Sequence, residues 1–328
     1  MLRIIQIILF FYCFQLSAQK IEGVSIVSHK LSSNYDGCAE LTELGANWIA
    51  ICPFGIMKTG STDLAYNSPL NWYGDREEGL INQIRNAKKA GLKICIKPHL
   101  YVRGEGWPGE YYPGKSKWSV WEQNYRAYLL FLSELGQREK VDLIMIGTEC
   151  KTSVNQRPQF WDNLIDSVRA VYAGQLSYAA NWDNYQTVPF WEKLDFISID
   201  AYFPLSKKKT PTVEEVEKSW IPINQKLADF SVSKSKKIIF TEYGYRSTDN
   251  AAGQQWFIES RSKVELVNLE AQVNAYLGFY NSVWGQDWFA GGFVWKWYQD
   301  SNSGGLLDSD YTPQNKPVIL IIRKIYKE

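Results

Sequence analysis

The sequence predicts a (β/α)8 barrel built as a single domain. Eight short runs of strand-like composition alternate with longer segments of helical period. The runs are apolar almost throughout, which is typical of parallel strands covered on both faces. A chain of 328 residues with 45% hydrophobic content can bury such a core. A doubly wound open sheet is the alternative, but no G-x-G-x-x-G segment follows the first run.

The predicted strands are the short runs bounded by polar or glycine-containing segments. They cover residues 23–29, 47–54, 93–100, 142–149, 175–182, 196–205, 237–245 and 289–297. Long loops rich in Gly, Trp, Tyr and charge follow three of them, at residues 55–75, 101–116 and 245–264. Because these loops all follow strand ends, we expect the functional face at the C-terminal end of the barrel.

Apolar stripes at helical spacing predict the intervening helices. The stripes are Leu80, Ile84 and Ala87 before Gly91; Trp121, Tyr125, Tyr128 and Leu132 before Gly136; Phe160, Leu164, Ile165 and Val168; Val213, Val216, Trp220 and Ile223; Leu266, Leu269, Val273, Tyr276 and Tyr280; and residues 317–326. The segment between Trp182 and Phe196 is too short for a full helix, so the fifth crossover should be abbreviated.

The N-terminus has the pattern of a secretory signal peptide at residues 1–18, leaving a mature barrel at 19–328. Arg3 precedes an apolar run that is too short for a membrane span, and small residues end at Ala18. We therefore expect a secreted or periplasmic protein with no membrane span. Cys13 lacks the small residues expected before a lipid-anchored cysteine, which disfavours a lipoprotein.

Cysteine usage and charge exclude several classes of function. Cys38, Cys52, Cys95 and Cys150 form no C-x-x-C pair, and only two histidines are present, which disfavours a structural zinc site. Export permits disulfides, but Cys52 and Cys95 lie in apolar runs typical of buried thiols. The net charge of +1 favours neither nucleic acid nor an anionic membrane as a partner. The 14 Trp residues suit either a large core or sugar stacking.

Polar side chains collect at the ends of several predicted strands. Glu149 and Glu242 each close an apolar run, and alternation along a strand groups other residues by face. The predicted groups are Lys97 and His99 with Cys95, Asp200 and Tyr202 with Ser198, and Trp295 with Trp297. A structural ion-pair layer inside the barrel would equally explain Lys97 and Asp200.

Two glutamates at one barrel mouth predict a retaining glycosidase. Glu242, with a hydroxyl such as that of Tyr202 nearby, would stay ionised as the nucleophile. Partial burial and the charge of Glu242 would raise the pKa of Glu149, making it the acid and then the base. Retention requires carboxyl groups about 5–5.5 Å apart, whereas inversion requires roughly 6.5–9.5 Å. This chemistry needs no metal or cofactor.

The ordered set of strand-end motifs resembles glycoside hydrolase clan A and, within it, family 113, whose characterised members are β-1,4-mannanases. The resemblance spans nearly all of the mature chain, roughly residues 23–298, and rests on I-K-P-H at 96–99, I-G-T-E at 146–149, D-A-Y-F-P at 200–204, T-E-Y-G at 241–244 and F-V-W at 293–295. It implies that Glu149 is the acid/base, Glu242 the nucleophile, Trp295 the floor under the sugar, and Tyr202 the hydroxyl beside the nucleophile.

One position departs from the clan pattern. Thr148 stands where the clan usually has the asparagine that contacts the sugar 2-hydroxyl, and Asn181 is a candidate for that contact by position. His99 would contact substrate or orient Lys97, and Trp72, Trp107 and Trp182 would stack on sugars or pack within loops.

The resemblance implies an endo-acting enzyme on β-mannan polysaccharide or oligosaccharide, and we expect a monomer. Three alternatives stay open: an exo-acting β-mannosidase, another β-1,4-glycanase of the clan, and an inactive carbohydrate-binding barrel.

Overall fold

The computed structural model describes residues 19–32, 37–104, 107–253 and 266–328. The predicted signal peptide, Cys13 and most of the 245–264 loop lie outside the described residues. Eight parallel strands close into a barrel in the order β1-β10-β9-β8-β7-β6-β4-β2, which confirms the predicted fold. These strands are β1 (Ile21–Val27), β2 (Trp48–Ile51), β4 (Lys93–Ile96), β6 (Leu143–Thr148), β7 (Gln175–Asn181), β8 (Ile197–Asp200), β9 (Ile238–Tyr243) and β10 (Phe289–Tyr298).

A second, two-stranded parallel sheet was not predicted. It pairs β3 (Phe54–Lys58) with β5 (His99–Arg103). Pro53 and Pro98 each precede one of these strands, so the chain leaves the barrel at the end of β2 and of β4 and then resumes strand geometry. Proline cannot donate to a sheet ladder, which explains why the two continuous predicted runs are each divided in two.

The predicted helices are present, with some changed bounds. The eight α-helices of the described residues are α1 (Cys38–Leu44), α2 (Glu77–Lys89), α3 (Trp118–Arg138), α4 (Lys151–Gln156), α5 (Pro158–Arg169), α6 (Val213–Lys234), α7 (Leu269–Phe279) and α8 (Val318–Tyr326). The short helices α1 and α4 were not predicted. The fifth crossover is abbreviated, as expected, to single turns at Tyr185–Thr187 and Trp191–Lys193.

Two apolar layers hold the barrel together. The barrel interior is filled by a small cluster that includes Trp48, Cys95, Met145 and Phe293. A larger cluster fills the space between the strands and the outer helices and contains most of the buried tryptophans. Most tryptophans thus pack in the outer core. The candidate site lies at the barrel mouth, above the inner cluster.

The four cysteines of the described residues are free thiols and are buried, so the predicted buried thiols at Cys52 and Cys95 are confirmed. Within the described ranges, no group of three or more His, Cys, Asp or Glu residues could hold a metal ion. No helix among the described residues is long and apolar enough to cross a membrane.

Candidate active site

Both predicted carboxylates lie at the C-terminal mouth of the barrel. Glu149 follows the last residue of β6, is partly exposed, and has a φ of 50°, in the left-handed region. Its backbone N–H still donates to the Ala179 carbonyl of β7, at 2.8 Å. A non-glycine residue in this conformation costs roughly 1 kcal/mol or more, and such strain collects at functional sites.

Glu242 reaches the mouth because the pairing of β9 with β8 shifts. Ile199 pairs with Phe240, but the next residue, Asp200, pairs with Glu242. The extra residue on β9, Thr241, lets its side chain and that of Glu242 both turn towards Asp200. Strict alternation would have placed the two on opposite faces, so the bulge brings Glu242 into the mouth.

Three groups approach the Glu242 carboxylate. Lys97 donates to Oε1, Tyr202 donates to Oε2 at 2.6 Å, and His99 Nε2 lies 3.6 Å from Oε1. Burial and the charge of Glu242 raise the pKa of Tyr202 well above its ordinary range, so its hydroxyl keeps the proton that it donates. An ammonium and a phenol on different oxygens fix the plane of the carboxylate.

Lys97 and Asp200 are buried beneath Glu242 and do not reach the open cavity. Lys97 Nζ donates to Asp200 Oδ1 at 2.9 Å, and Thr241 donates to the same oxygen at 2.8 Å. Neither Lys97 nor Asp200 has an exposed fraction above 0%. Their predicted role as substrate contacts is therefore corrected: they form an ion pair that supports Glu242, because the ammonium bridges the two carboxylates.

The charges of this cluster determine its protonation. Burial alone would lower the pKa of Lys97, but the carboxylates of Asp200 and Glu242 reverse the shift, and the lysine stays charged. Burial first, and the charge of Glu242 second, raise the pKa of Asp200 to about 7, against the opposing effect of Lys97. One buried cation thus pairs with two carboxylates, and its charge does not cancel the upward shift in the pKa of Asp200.

Glu149 has the opposite environment. Trp107 donates its indole N–H to Glu149 Oε2, and no cation bonds to this carboxyl in the described part of the chain. Burial first, then the charges of Asp200 and Glu242, raise the pKa of Glu149 to about 8. The carboxyl is therefore protonated at neutral pH, as a general acid requires.

His99 and Trp295 form the wall beside Glu242. Their rings stack with centroids 5.7 Å apart and an interplanar angle of 24°, and Lys97 Nζ lies 5.8 Å from the Trp295 ring centroid. Burial and the charge of Lys97 lower the pKa of His99 well below its ordinary value, so the imidazole is neutral. A neutral imidazole can donate to or accept from a substrate hydroxyl.

Two buried polar atoms at the mouth have no hydrogen-bond partner within the described ranges: His99 Nε2 and Asn181 Oδ1. Thr148, by contrast, donates to the Pro98 carbonyl at 2.8 Å. Buried polar atoms are nearly always paired, so these two atoms indicate places where a ligand would complete the bonding. Asn181 stays the predicted contact for the 2-hydroxyl, and Thr148 is already engaged.

Two of the predicted aromatic contacts pack against the outer core. Trp297 belongs to the outer core, because the β1–β10 register shifts between Ser25 and Ile26 and a bulge separates Trp295 from Trp297. The expectation that these two tryptophans share a face is wrong. Trp182 packs against the outer core with its ring 5.9 Å from Phe203, which is the packing alternative considered for it.

The sequence did not predict two contacts, Lys97 with Glu242 and Trp107 with Glu149. They join residues separated by 145 and 42 positions. The only available signal was a lysine at an inward-facing position of an apolar strand.

One protein-family model matches most of the chain. A family model described as Glycoside Hydrolase Family 113 matches residues 28–316. No curated protein sequence matches the chain.

Solved structures share the fold. The family 113 β-mannanase AaManA from Alicyclobacillus acidocaldarius, in complex with ManMIm, superposes with a TM-score of 0.80 at 21% identity, over 95% of this chain and 98% of that one. A family 113 β-1,4-mannanase gives 0.80 at 20% identity, over 94% and 99%. A Faecalibacterium prausnitzii β-glucuronidase gives 0.62 at 14% identity, over 94% of this chain and 49% of that one.

Proposed function

The chain belongs to Glycoside Hydrolase Family 113, and we propose that it hydrolyses β-1,4-mannosidic linkages in mannan and manno-oligosaccharides with retention of configuration. The substrate class is supported by the family and by the mannanases that share its fold. The observation that carries the mechanism is the contrast between two glutamates at one mouth, one bonded to a neutral indole and one bonded to a buried lysine.

In the first step, Glu149 gives its proton to the glycosidic oxygen while Glu242 attacks the anomeric carbon. The carbon–oxygen bond to the leaving sugar breaks, and a covalent glycosyl–enzyme ester forms. Lys97 and Tyr202 occupy one lone-pair position on each oxygen of Glu242, which leaves the others for attack.

In the second step, water attacks the same carbon and Glu149, now ionised, takes its proton. The ester bond to Glu242 breaks and the carboxylate is restored. Glu149 then regains its protonated form because burial and two neighbouring acids favour it. Trp295, partly exposed beside His99, would form the aromatic floor under the sugar.

The test is the product profile on mannohexaose, cellohexaose and xylohexaose, with the anomer identified by NMR. We expect cleavage of mannohexaose to shorter oligomers with the β-anomer formed first. Release of single mannose units would instead indicate an exo-acting β-mannosidase, and cleavage of cellohexaose another β-1,4-glycanase. Initial formation of the α-anomer would contradict the retaining mechanism.

A Glu242→Ala variant separates an enzyme from an inactive carbohydrate-binding barrel. Loss of the nucleophile should lower kcat by about 10⁴-fold or more, while binding of mannohexaose measured by calorimetry persists. An unchanged rate would remove Glu242 from the mechanism.

We further propose that the protein is exported and acts as a monomer on extracellular or periplasmic glycan. The support for export is the signal-like pattern at residues 1–18. N-terminal sequencing of the mature protein should begin at Gln19, and a cytoplasmic protein retaining Met1 would refute the proposal.

A further inference from the structure

The small β3–β5 sheet has one face buried and one face open. Its strands pair in register, with Phe54 opposite His99, Ile56 opposite Tyr101 and Lys58 opposite Arg103. The alternate residues, among them Met57, Leu100 and Val102, are buried in the outer core. The open face is therefore a strip, here called the β3–β5 strip, of three rungs: Phe54 and His99, Ile56 and Tyr101, Lys58 and Arg103.

The inner end of the β3–β5 strip lies in the catalytic centre. His99 is 3.6 Å from Glu242 and stacks on Trp295, and the Phe54 ring lies 5.2 Å from that of His99. Arg103 is four positions after His99, so the strip runs about 13 Å away from the nucleophile. A glycan bound at the centre can therefore extend along it.

The middle rung offers a stacking surface. Tyr101 is 55% exposed, and it lies beside the half-buried Ile56. Together with Phe54 they form contiguous, partly exposed apolar surface, and such surface is found in ligand-binding grooves. The C–H face of a sugar ring fits such a surface.

The outer rung concentrates positive charge. Lys58 and Arg103 are directly opposite and both exposed. Among the described residues, neither side chain has a hydrogen-bond or ion-pair partner. Like charges directly opposite on a ladder are destabilising, so the pair carries a cost that a bound anion would offset. Arginine also matches the planar, two-oxygen geometry of a carboxylate.

We propose that the β3–β5 strip binds an extension of the substrate glycan and that Lys58 and Arg103 recognise a carboxylate carried by it, as in an acidic sugar. This rests on the proposed function for the catalytic centre. Charged residues also protect sheet edges against association, and that explanation requires no effect on substrate choice.

The test compares kcat/KM on soluble glucomannan and on the same polymer partly oxidised to carboxylates at C6. For the Lys58→Gln/Arg103→Gln double variant, we expect the ratio of oxidised to neutral substrate to fall about fivefold relative to the native protein at low ionic strength. The difference should vanish at high salt, because both cations are exposed. A glucomannan sulfated to the same charge serves as the second probe, and equal preference for it would indicate a general anion site rather than a carboxylate site.

The matched control is Lys89→Gln/Lys226→Gln, which removes the same charge from exposed positions on α2 and α6. It should leave the ratio unchanged. If the ratio of kcat/KM on oxidised to neutral glucomannan is the same for the native protein and the Lys58→Gln/Arg103→Gln variant, the carboxylate site is refuted. Failure to cleave either glucomannan would instead count against the proposed function. Calorimetry on the two polymers would then test the β3–β5 strip separately, since the native protein should bind the oxidised polymer more tightly than the double variant does.

Discussion

The two glutamates end strands of similar sequence, yet the structure gives them opposite surroundings. The Glu242 side of the mouth supplies a buried ammonium and a phenol, whereas the Glu149 side supplies one neutral indole. The carboxylate bonded to the cation is suited to attack, and the carboxyl without one holds its proton to a pH of about 8. The difference teaches that neighbours from other strands, and not the strand itself, assign the roles.

The largest effect is expected when the proposed acid, Glu149, is replaced. Glu149→Gln should lower kcat/KM on mannohexaose by about 10³-fold, because the leaving oxygen loses its proton donor. An aryl β-mannoside with an acidic leaving group needs little protonation and should lose far less in its glycosylation rate. Glu134→Gln, at an exposed position of α3, is the matched control. Equal losses on both substrates would contradict the assignment of the acid.

The nucleophile side is tested by Lys97→Met. Removing the ammonium leaves Asp200 and Glu242 buried together without a cation, so we expect kcat to fall about 10²-fold. Breaking a buried pair also costs about 3–5 kcal/mol of stability, seen as a lower Tm. Lys316→Met is the control, since Lys316 is equally buried and pairs with Asp308 at 2.7 Å. It should lower Tm while the folded protein keeps its kcat, and a similar kcat loss there would show that Lys97 acts only through stability.

Replacing Asn181 tests the predicted contact with the sugar 2-hydroxyl. Asn181→Ala should lower kcat and kcat/KM together by about tenfold if the amide bonds the 2-hydroxyl in the transition state. Its Oδ1 is buried without a partner among the described residues, so the unliganded protein should lose little stability. An unchanged kcat would remove Asn181 from the site.

The smallest effect is expected for Trp107, whose indole N–H donates to the carboxyl group of Glu149. The indole of Trp107 opposes the upward pKa shift of Glu149, so Trp107→Phe should raise that pKa further. The protonated acid then persists to higher pH, and the alkaline limb of kcat/KM moves upward by about 1 pH unit. The acidic limb is the internal control. A downward shift of the alkaline limb would show that the indole does not bond to the carboxylate form.

Much of the fold was predictable because its signals are local. All eight barrel strands are present near their predicted positions, and the short fifth crossover follows from chain length alone. Pro53 and Pro98 are the local signals for the division of two predicted runs. Counting alternate positions predicted the wrong face for Trp297, because a bulge changes the face of every later residue in a strand.

The sequence by itself determined an alternating barrel with a glutamate at the end of two strands, because hydrophobic period and strand order are encoded in neighbouring residues. The resemblance predicted which glutamate is the acid, but only the tertiary structure supplied the contacts that separate the two carboxyl groups. Lys97 lies 145 positions before Glu242 and 103 before Asp200, and barrel closure alone brings the three together. Electrostatic energy depends on distance in space and on burial, and neither quantity is written in a local stretch of chain.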